Sequence, residues 1–252
     1  MSLNYDLIIS TTAVNRPDLH NITFFDYCKF IEGLSCLWLI NIDCIAGGSS
    51  LEDTKDSLNS VLSRWNNISV VFYSINEDGG QESFYRSAQF LTNESVKIQS
   101  KYGVFWLEDD WGKSSDYKLK GILEQTNFSD MDYLALAIGQ TSISGNPGIY
   151  GHKLLKEHVQ PRINDESCHH YMHNPERAIT MWKHSESDKP NPIIPENYGG
   201  KTYALPCFFD VGRPWAEQNV KEFQISSDFL IPLTRTCIGY NEHLKIIKDE
   251  IE

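Results

Sequence analysis

The apolar run Tyr102 to Leu107 leads directly into Glu108-Asp109-Asp110 and a second tryptophan, Trp111. A short apolar run with aromatic and β-branched residues reads as a buried strand. Acids at its end would gather at the carboxyl edge of a sheet, where open α/β sheets place ligands. Three adjacent carboxylates repel one another unless a cation neutralises them. Mg2+ or Mn2+, held by one or two carboxylates together with substrate phosphates, suits such a cluster. A solvated acidic turn after a core strand is the plainer alternative.

The segments before this motif alternate between two periods. Tyr5 to Ser10, Cys36 to Ile42 and Ile68 to Ile75 have strand character. Between them, Asn21 to Leu34, a segment capped by Ser49-Ser50 and running through Trp65, and Gln81 to Leu91 have helical character. Strand–helix repetition predicts an α/β fold with a mostly parallel central sheet and helices on both faces. Asp43, Asp78 and the Glu108 triplet fall at strand ends, so one crevice would collect them. The second half is less regular. Tyr133 to Ile138 and Thr202 to Asp210 read as strands, and Gly145-Asn146-Pro147-Gly148 as a turn before Ile149-Tyr150. Lys153 to Val159 and Pro175 to Lys183 read as helices. We expect one domain over residues 1–252, with a nucleotide-binding half over about 1–112 and an acceptor-binding half over about 113–252.

The formal net charge of −12 gives no basic field to offset phosphates, so general binding to nucleic acid or an anionic membrane is not expected. No apolar stretch reaches the length of a membrane span and no targeting signal stands out, which predicts a cytoplasmic protein. The six cysteines are scattered with no Cys-x-x-Cys pair, so buried free thiols are expected. The first strand–helix turn lacks Gly-x-Gly-x-x-Gly, which argues against a Rossmann dehydrogenase. No Gly-x-Ser-x-Gly elbow is present, which argues against an α/β-hydrolase.

The order of features resembles nucleotide-sugar glycosyltransferases of the A-type fold, broadly the family-2-like inverting enzymes. The likeness is carried by the opening strand with Thr11, Thr12, Arg16 and Pro17, by the strand-end Asp43, by Leu107-Glu108-Asp109-Asp110-Trp111, and by Pro147-Gly148-Ile149-Tyr150. Phe209-Asp210-Val211-Gly212-Arg213-Pro214-Trp215 is similar to a stretch in small viral and bacterial polysaccharide or capsid transferases. The resemblance implies Mn2+ or Mg2+ on Asp110, with Asp109 acting through water, and Glu108 near the ribose. The family norm is Asp-x-Asp, so Glu-Asp-Asp leaves open which carboxylate meets the metal. Asp43 is similar to the strand-end acid that reads uracil, and Arg16 would meet base or phosphate. Thr11 and Thr12 would line the same pocket.

Some members of this family complete the metal shell with a histidine from the second half, a place for His170 or His169. A loop histidine is the alternative. An inverting transfer needs a base for the acceptor hydroxyl, and the resemblance puts an acid from the second half there: Glu176 first, then Asp165, then Asp210. A carboxylate in a first helical turn is also ordinary dipole stabilisation.

The sequence thus predicts a metal-dependent glycosyltransferase. It would move a sugar from a nucleoside diphosphate, UDP by preference, to a glycan or glycoconjugate hydroxyl. A sugar nucleotidyltransferase is the first rival, disfavoured because Thr11 to Asp18 lacks the glycine-rich basic loop. A non-catalytic carbohydrate- or protein-binding module is the second.

Overall fold

A computed structural model describes residues 5–44, 49–76, 83–113, 116–137, 143, 147–165 and 198–211. Its centre is an eight-stranded sheet: β1 (Leu7–Val14), β2 (Cys36–Asp43), β3 (Ile68–Tyr73), β4 (Val104–Glu108), β5 (Trp111–Lys113), β6 (Tyr133–Ala137), β7 (Gly148–Tyr150) and β8 (Thr202–Asp210). The spatial order is β3-β2-β1-β4-β7-β6-β8-β5. β3, β2, β1 and β4 run parallel, as strand–helix alternation requires. Beyond β4 the sheet is mixed: β7 is antiparallel to both β4 and β6, β8 is parallel to β6, and β5 is antiparallel to β8. Six of the eight described strands thus point one way, as the expected mostly parallel sheet requires, and β7 and β5 are reversed. The reason is that short connections such as that between β6 and β7 leave no room for a crossover helix.

Helices cover both faces, as expected. α1 (Pro17–Phe30), α2 (Leu51–Leu62) and α4 (Leu119–Thr126) pack on one face. There Leu7, Ile9, Trp38, Ile40 and Phe105 meet Phe24, Tyr27, Leu58, Leu62 and Leu123. The alternate strand residues Ile8, Leu39, Val104 and Trp106 face the other way. They meet Tyr85, Ala88 and Leu91 of α3 (Ser83–Ser95), and Leu154, Leu155, Val159 and Ile163 of a helical rod. That rod comprises α5 (His152–Leu154), a wider π-helical turn over Leu155–Val159, and α6 (Gln160–Ile163). Pro161 lacks the N–H that a regular helix would use, and a widened turn just before it absorbs the loss.

Two departures from the sequence reading matter. α1 starts at Pro17, four positions before the expected Asn21, because proline is preorganised for the first helical position. β5 and α4 were not expected at all; a three-residue strand and a two-turn helix are too short to show a period. The helix expected over Pro175 to Lys183 lies outside the described residues.

The position of β5 bends the whole sheet. Only Asp109 and Asp110 separate β4 from β5, yet three strands lie between them in the sheet. A flat sheet would put β5 about 19 Å from β4. Three Cα steps span at most about 11 Å. The sheet must therefore curl until its far edge returns to the end of β4. β8 supplies the bend. Its first part pairs with β6 through Ala135↔Ala204, and the pairing resumes at Ala137↔Phe208. Leu205, Pro206 and Cys207 thus oppose Leu136 alone, an irregularity of the kind that re-aims a strand. The last residues of β8 then pair with β5, with Asp210 opposite Trp111.

Gly103, just before β4, has φ +96°, and a Cβ there would lie 2.1 Å from the carbonyl oxygen of Tyr150. Backbone cannot move aside as a flexible side chain can. Gly103→Ala should lower stability by at least about 2–4 kcal/mol, read from the urea midpoint, because strain and overlap add.

Candidate functional site

The turn Asp109-Asp110 sits at the carboxyl edge of the parallel strands, beside the end of β1. Thr12 lies opposite Glu108 on one side of β1 and opposite Asn41 on the other, and Val14 lies opposite Asp43. β1 thus places Asp43 and the acidic turn on its two flanks, as strand-end clustering predicts.

α1 fixes the turn through one polar face. Arg16, His20, Thr23 and Tyr27 follow a spacing of four, three and four, which puts them in a single row on a helix. Arg16 donates through Nη2 to Asp109 Oδ1 at 2.6 Å and through Nε to Oδ2 at 3.2 Å. His20 Nε2 lies 2.8 Å from Asp109 Oδ2. Since a carboxylate oxygen accepts, this nitrogen carries the proton. The Val14 N–H donates to the same oxygen at 3.0 Å. Thr23 donates to the Asp109 carbonyl at 2.8 Å, and Tyr27 donates to the Glu108 carbonyl at 2.9 Å while accepting from the Trp111 N–H. One residue before Tyr27, Asp26 accepts from the Lys113 N–H.

The two aspartates end up in different electrostatic states. Burial opposes ionisation of Asp109, but Arg16 and His20 outweigh it and hold the carboxyl well below the ordinary range. Asp110 has one contact to the same guanidinium, 3.1 Å from Nη2 to Oδ2. Burial, with help from Asp210 and Asp109 and against the pull of Arg16, pushes its carboxyl up to about 7. The Val211 N–H donates to the Asp110 carbonyl at 2.8 Å, which ties the end of β8 to the turn and brings Asp210 beside it. Burial and Asp110 raise the phenol of Tyr27, so it remains a donor.

The other expected residues are placed as follows. Glu108 accepts from Trp111 Nε1 at 3.1 Å. Thr11 is fully buried and accepts from Trp38 Nε1, so its hydroxyl serves the core, while Thr12 lends its carbonyl to the Asp109 N–H. Asp43 is 3% exposed. Its Oδ1 accepts from Asn41, Asn76 and Ser87, each at 2.9 Å, and Ser87 also reaches Oδ2. Burial raises its carboxyl against those three donors. Asp165 is exposed just past α6. Tyr85, early in α3, donates to the Ile163 carbonyl, and Asn93, late in α3, meets Gln160. Gln89 also donates to the Ile163 carbonyl and Asn164 pairs with Asn93, so the end of the rod packs along α3 with Asp165 just past it. Glu176, His169 and His170 lie outside the described residues.

A divalent cation is tested here by acceptor capacity. Asp109 spends both oxygens on four donors. The contact of Asp110 with Arg16 is through Oδ2, among the described residues no hydrogen bond reaches its Oδ1, and Asp210 stands near enough to act on its charge. Among the described residues no group of three His, Cys, Asp or Glu is placed to hold a metal. Two carboxylates completed by phosphate oxygens nevertheless match how Mg2+ is held in phosphate sites, so Asp110 with Asp210 fits and Asp109 serves as their support. Sequence reading missed His20, Thr23 and Tyr27. Their helical spacing from Arg16 was the available signal, hidden by starting the helix at Asn21.

No protein-family model and no curated protein sequence matches this chain. Among solved structures it is similar to core-mannan synthase A from Aspergillus fumigatus in a Mn/GDP form, at 12% identity over 52% of this chain and 42% of that one, with a TM-score of 0.30. It is similar to the galactosyltransferase LgtC with donor and acceptor sugar analogues, at 12% identity over 69% and 66%, TM-score 0.38. It is also similar to mouse xyloside xylosyltransferase 1, at 8% identity over 69% and 73%, TM-score 0.37. The chain spans less than half of the first protein and about two thirds of the second. Overlaps this loose carry no weight for function, which has to come from the site. Among the described residues no helix is long and apolar enough to cross a membrane.

The raised Asp110 carboxyl has a consequence for stability. An unfolded aspartate titrates near 3.9. With the folded value raised to about 7, neutral Asp110 stabilises the fold below about pH 4, and that contribution is lost as pH rises through 7. Asp110→Asn cannot ionise and keeps it. In chelator-treated buffer Asp110→Asn should therefore exceed the parent by about 1–3 kcal/mol at pH 8 and match it near pH 4, measured by urea unfolding.

Proposed function

We propose that this chain is a glycosyltransferase of the A-type class. It transfers a sugar from a nucleoside diphosphate, UDP foremost, to a hydroxyl of a glycan or glycoconjugate, with inversion. The observation that carries this reading is the acidic turn: Asp109 locked by Val14, Arg16 and His20, and Asp110 left beside Asp210 at the strand-end edge. A solvated acidic turn has no need of four donors on one carboxylate. A turn built to present its neighbour does.

In this reading the donor diphosphate lies over the turn. Asp110 and Asp210 hold Mn2+ or Mg2+, and His170 is the further candidate ligand. When bound, the ion neutralises charge that builds on the leaving phosphate. Asp109 contributes by orientation, since it fixes the backbone on which Asp110 stands. Arg16 gives the edge its positive charge, and Glu108, tethered to Trp111, borders the ribose. Asp43 reads the uracil ring: Oδ2, reached by Ser87 alone among the described residues, keeps acceptor capacity for a ring N–H. Thr12 shapes the floor through its backbone. The acceptor hydroxyl loses its proton to a second-half carboxylate, with Glu176 ahead of Asp165; Asp210, placed at the metal, is the least suited of the three.

A thermal-shift series tests the donor. UDP should raise the melting temperature more with Mn2+ than without, and more than GDP or ADP does, because a ligand that binds only the native state stabilises it. Asp110→Ala should abolish the Mn2+-dependent part, and Asp43→Ala should weaken UDP by about 1–3 kcal/mol. Equal shifts for all three nucleotides would remove the uridine reading. A module that merely binds carbohydrate would require neither metal nor UDP.

The base is tested by rate. Glu176→Gln should keep UDP affinity and lose about 10²–10⁴-fold in transfer. Full activity in Glu176→Gln, with loss in Asp165→Asn, would move the role to Asp165.

A further inference from the structure

We propose that Arg16 is the resident counter-cation of the acidic turn, released from Asp110 when a divalent ion arrives with the donor diphosphate, while its grip on Asp109 persists. This rests on the glycosyl-transfer reading above and adds a coupling between cation and nucleotide to it.

The contacts of Arg16 are unequal. Toward Asp109 it presents a fork, with Nη2 at 2.6 Å from Oδ1 and Nε at 3.2 Å from Oδ2. Bidentate guanidinium–carboxylate pairs are the strong and geometrically fixed ones. Toward Asp110 it offers one nitrogen, already shared, at 3.1 Å. Exposure follows the same division: the side chain of Asp109 is 4% exposed and that of Asp110 25%. An incoming ion therefore meets Asp110, and the contact it must displace is the weaker of the two.

Asp109 loses nothing in the exchange. His20 Nε2 and the Val14 N–H remain on Oδ2. Arg16 itself cannot leave a buried carboxylate without leaving that charge unpaired, which is costly. Its Nη2, freed from Asp110, needs a new acceptor, and a diphosphate oxygen beside the turn is one. Without nucleotide, guanidinium and divalent ion compete for Asp110 and repel each other. With nucleotide, phosphate oxygens satisfy both. Cation and diphosphate should then strengthen each other's binding, and such coupling is reciprocal. A guanidinium that served only to hold the turn together would produce no competition.

The experiment measures Mn2+ binding from the free-ion signal in electron paramagnetic resonance, with and without UDP, for the parent, Arg16→Gln and Arg16→Lys. Circular dichroism checks each fold. The parent should bind Mn2+ weakly alone and at least about tenfold more tightly with UDP, a coupling of the usual size. Arg16→Gln should bind Mn2+ alone about tenfold more tightly than the parent and gain little more from UDP. Arg16→Lys keeps the charge but not the fork, and should fall between; it carries the test if Arg16→Gln does not fold. Loss of a purely structural residue would weaken Mn2+ binding, so a gain is specific to competition. Unchanged or weaker Mn2+ binding in both variants, or no Mn2+ binding by any of the proteins, overturns the proposal. A parent that fails to bind UDP even with saturating Mn2+ removes the donor reading. A parent that binds UDP beside variants with unchanged Mn2+ affinity removes only the role of Arg16.

Discussion

The carboxylate of Asp109 is where the chain's parts are joined. It is nearly inaccessible to water and receives donors from the end of β1, from the first residue before α1 and from the first turn of α1. A buried carboxylate is tolerated only when its charge is matched and its lone pairs are filled. The junction of β1 with α1 and the turn after β4, 89 to 95 residues apart in sequence, must therefore meet at one point, or neither is satisfied. Thr23 and Tyr27 extend the same row and pin the backbone on both sides of the turn. The price of this arrangement is borne by Asp110, whose ionisation is resisted by burial and by its acidic neighbours.

The turn also sets the shape of the sheet. Two residues cannot bridge a flat sheet from its fourth strand to its eighth, so β5 forces a curl, and β8 bends around Pro206 to reach it. That bend delivers Asp210 to the side of Asp110. The acid pair on which the proposed chemistry turns is a product of sheet closure, and the lock on Asp109 holds the closing point in place. Catalytic carboxylates set against one another at some cost in stability are a common feature of sites that bind cations or move protons.

Sequence patterning carried much of this. Four short apolar runs, separated by helical segments, dictated parallel strands under two layers of helices, because parallel neighbours need crossovers and a crossover is helical. Thr202 to Asp210 was legible as a strand at its observed bounds, and Ser50 as the cap of α2. The acidic run after β4 marked the candidate site, since like charges in a row at a strand end call for a counter-charge.

The tertiary structure alone decided which counter-charge each acid receives. Adjacent residues in a turn look alike in sequence, yet Asp109 takes the fork of Arg16 and the ring of His20, while Asp110 shares one nitrogen of that guanidinium and lies near Asp210. That difference depends on the direction in which the turn leaves β4, and so on the curl. The mixed order of β5 to β8 was likewise out of reach, because pairing partners far apart in sequence leave no local period. Local sequence fixes backbone propensity and which face of an element is apolar. The charge state of a buried carboxylate is set by dielectric and distance to groups nearly a hundred residues away, and only the folded chain defines those.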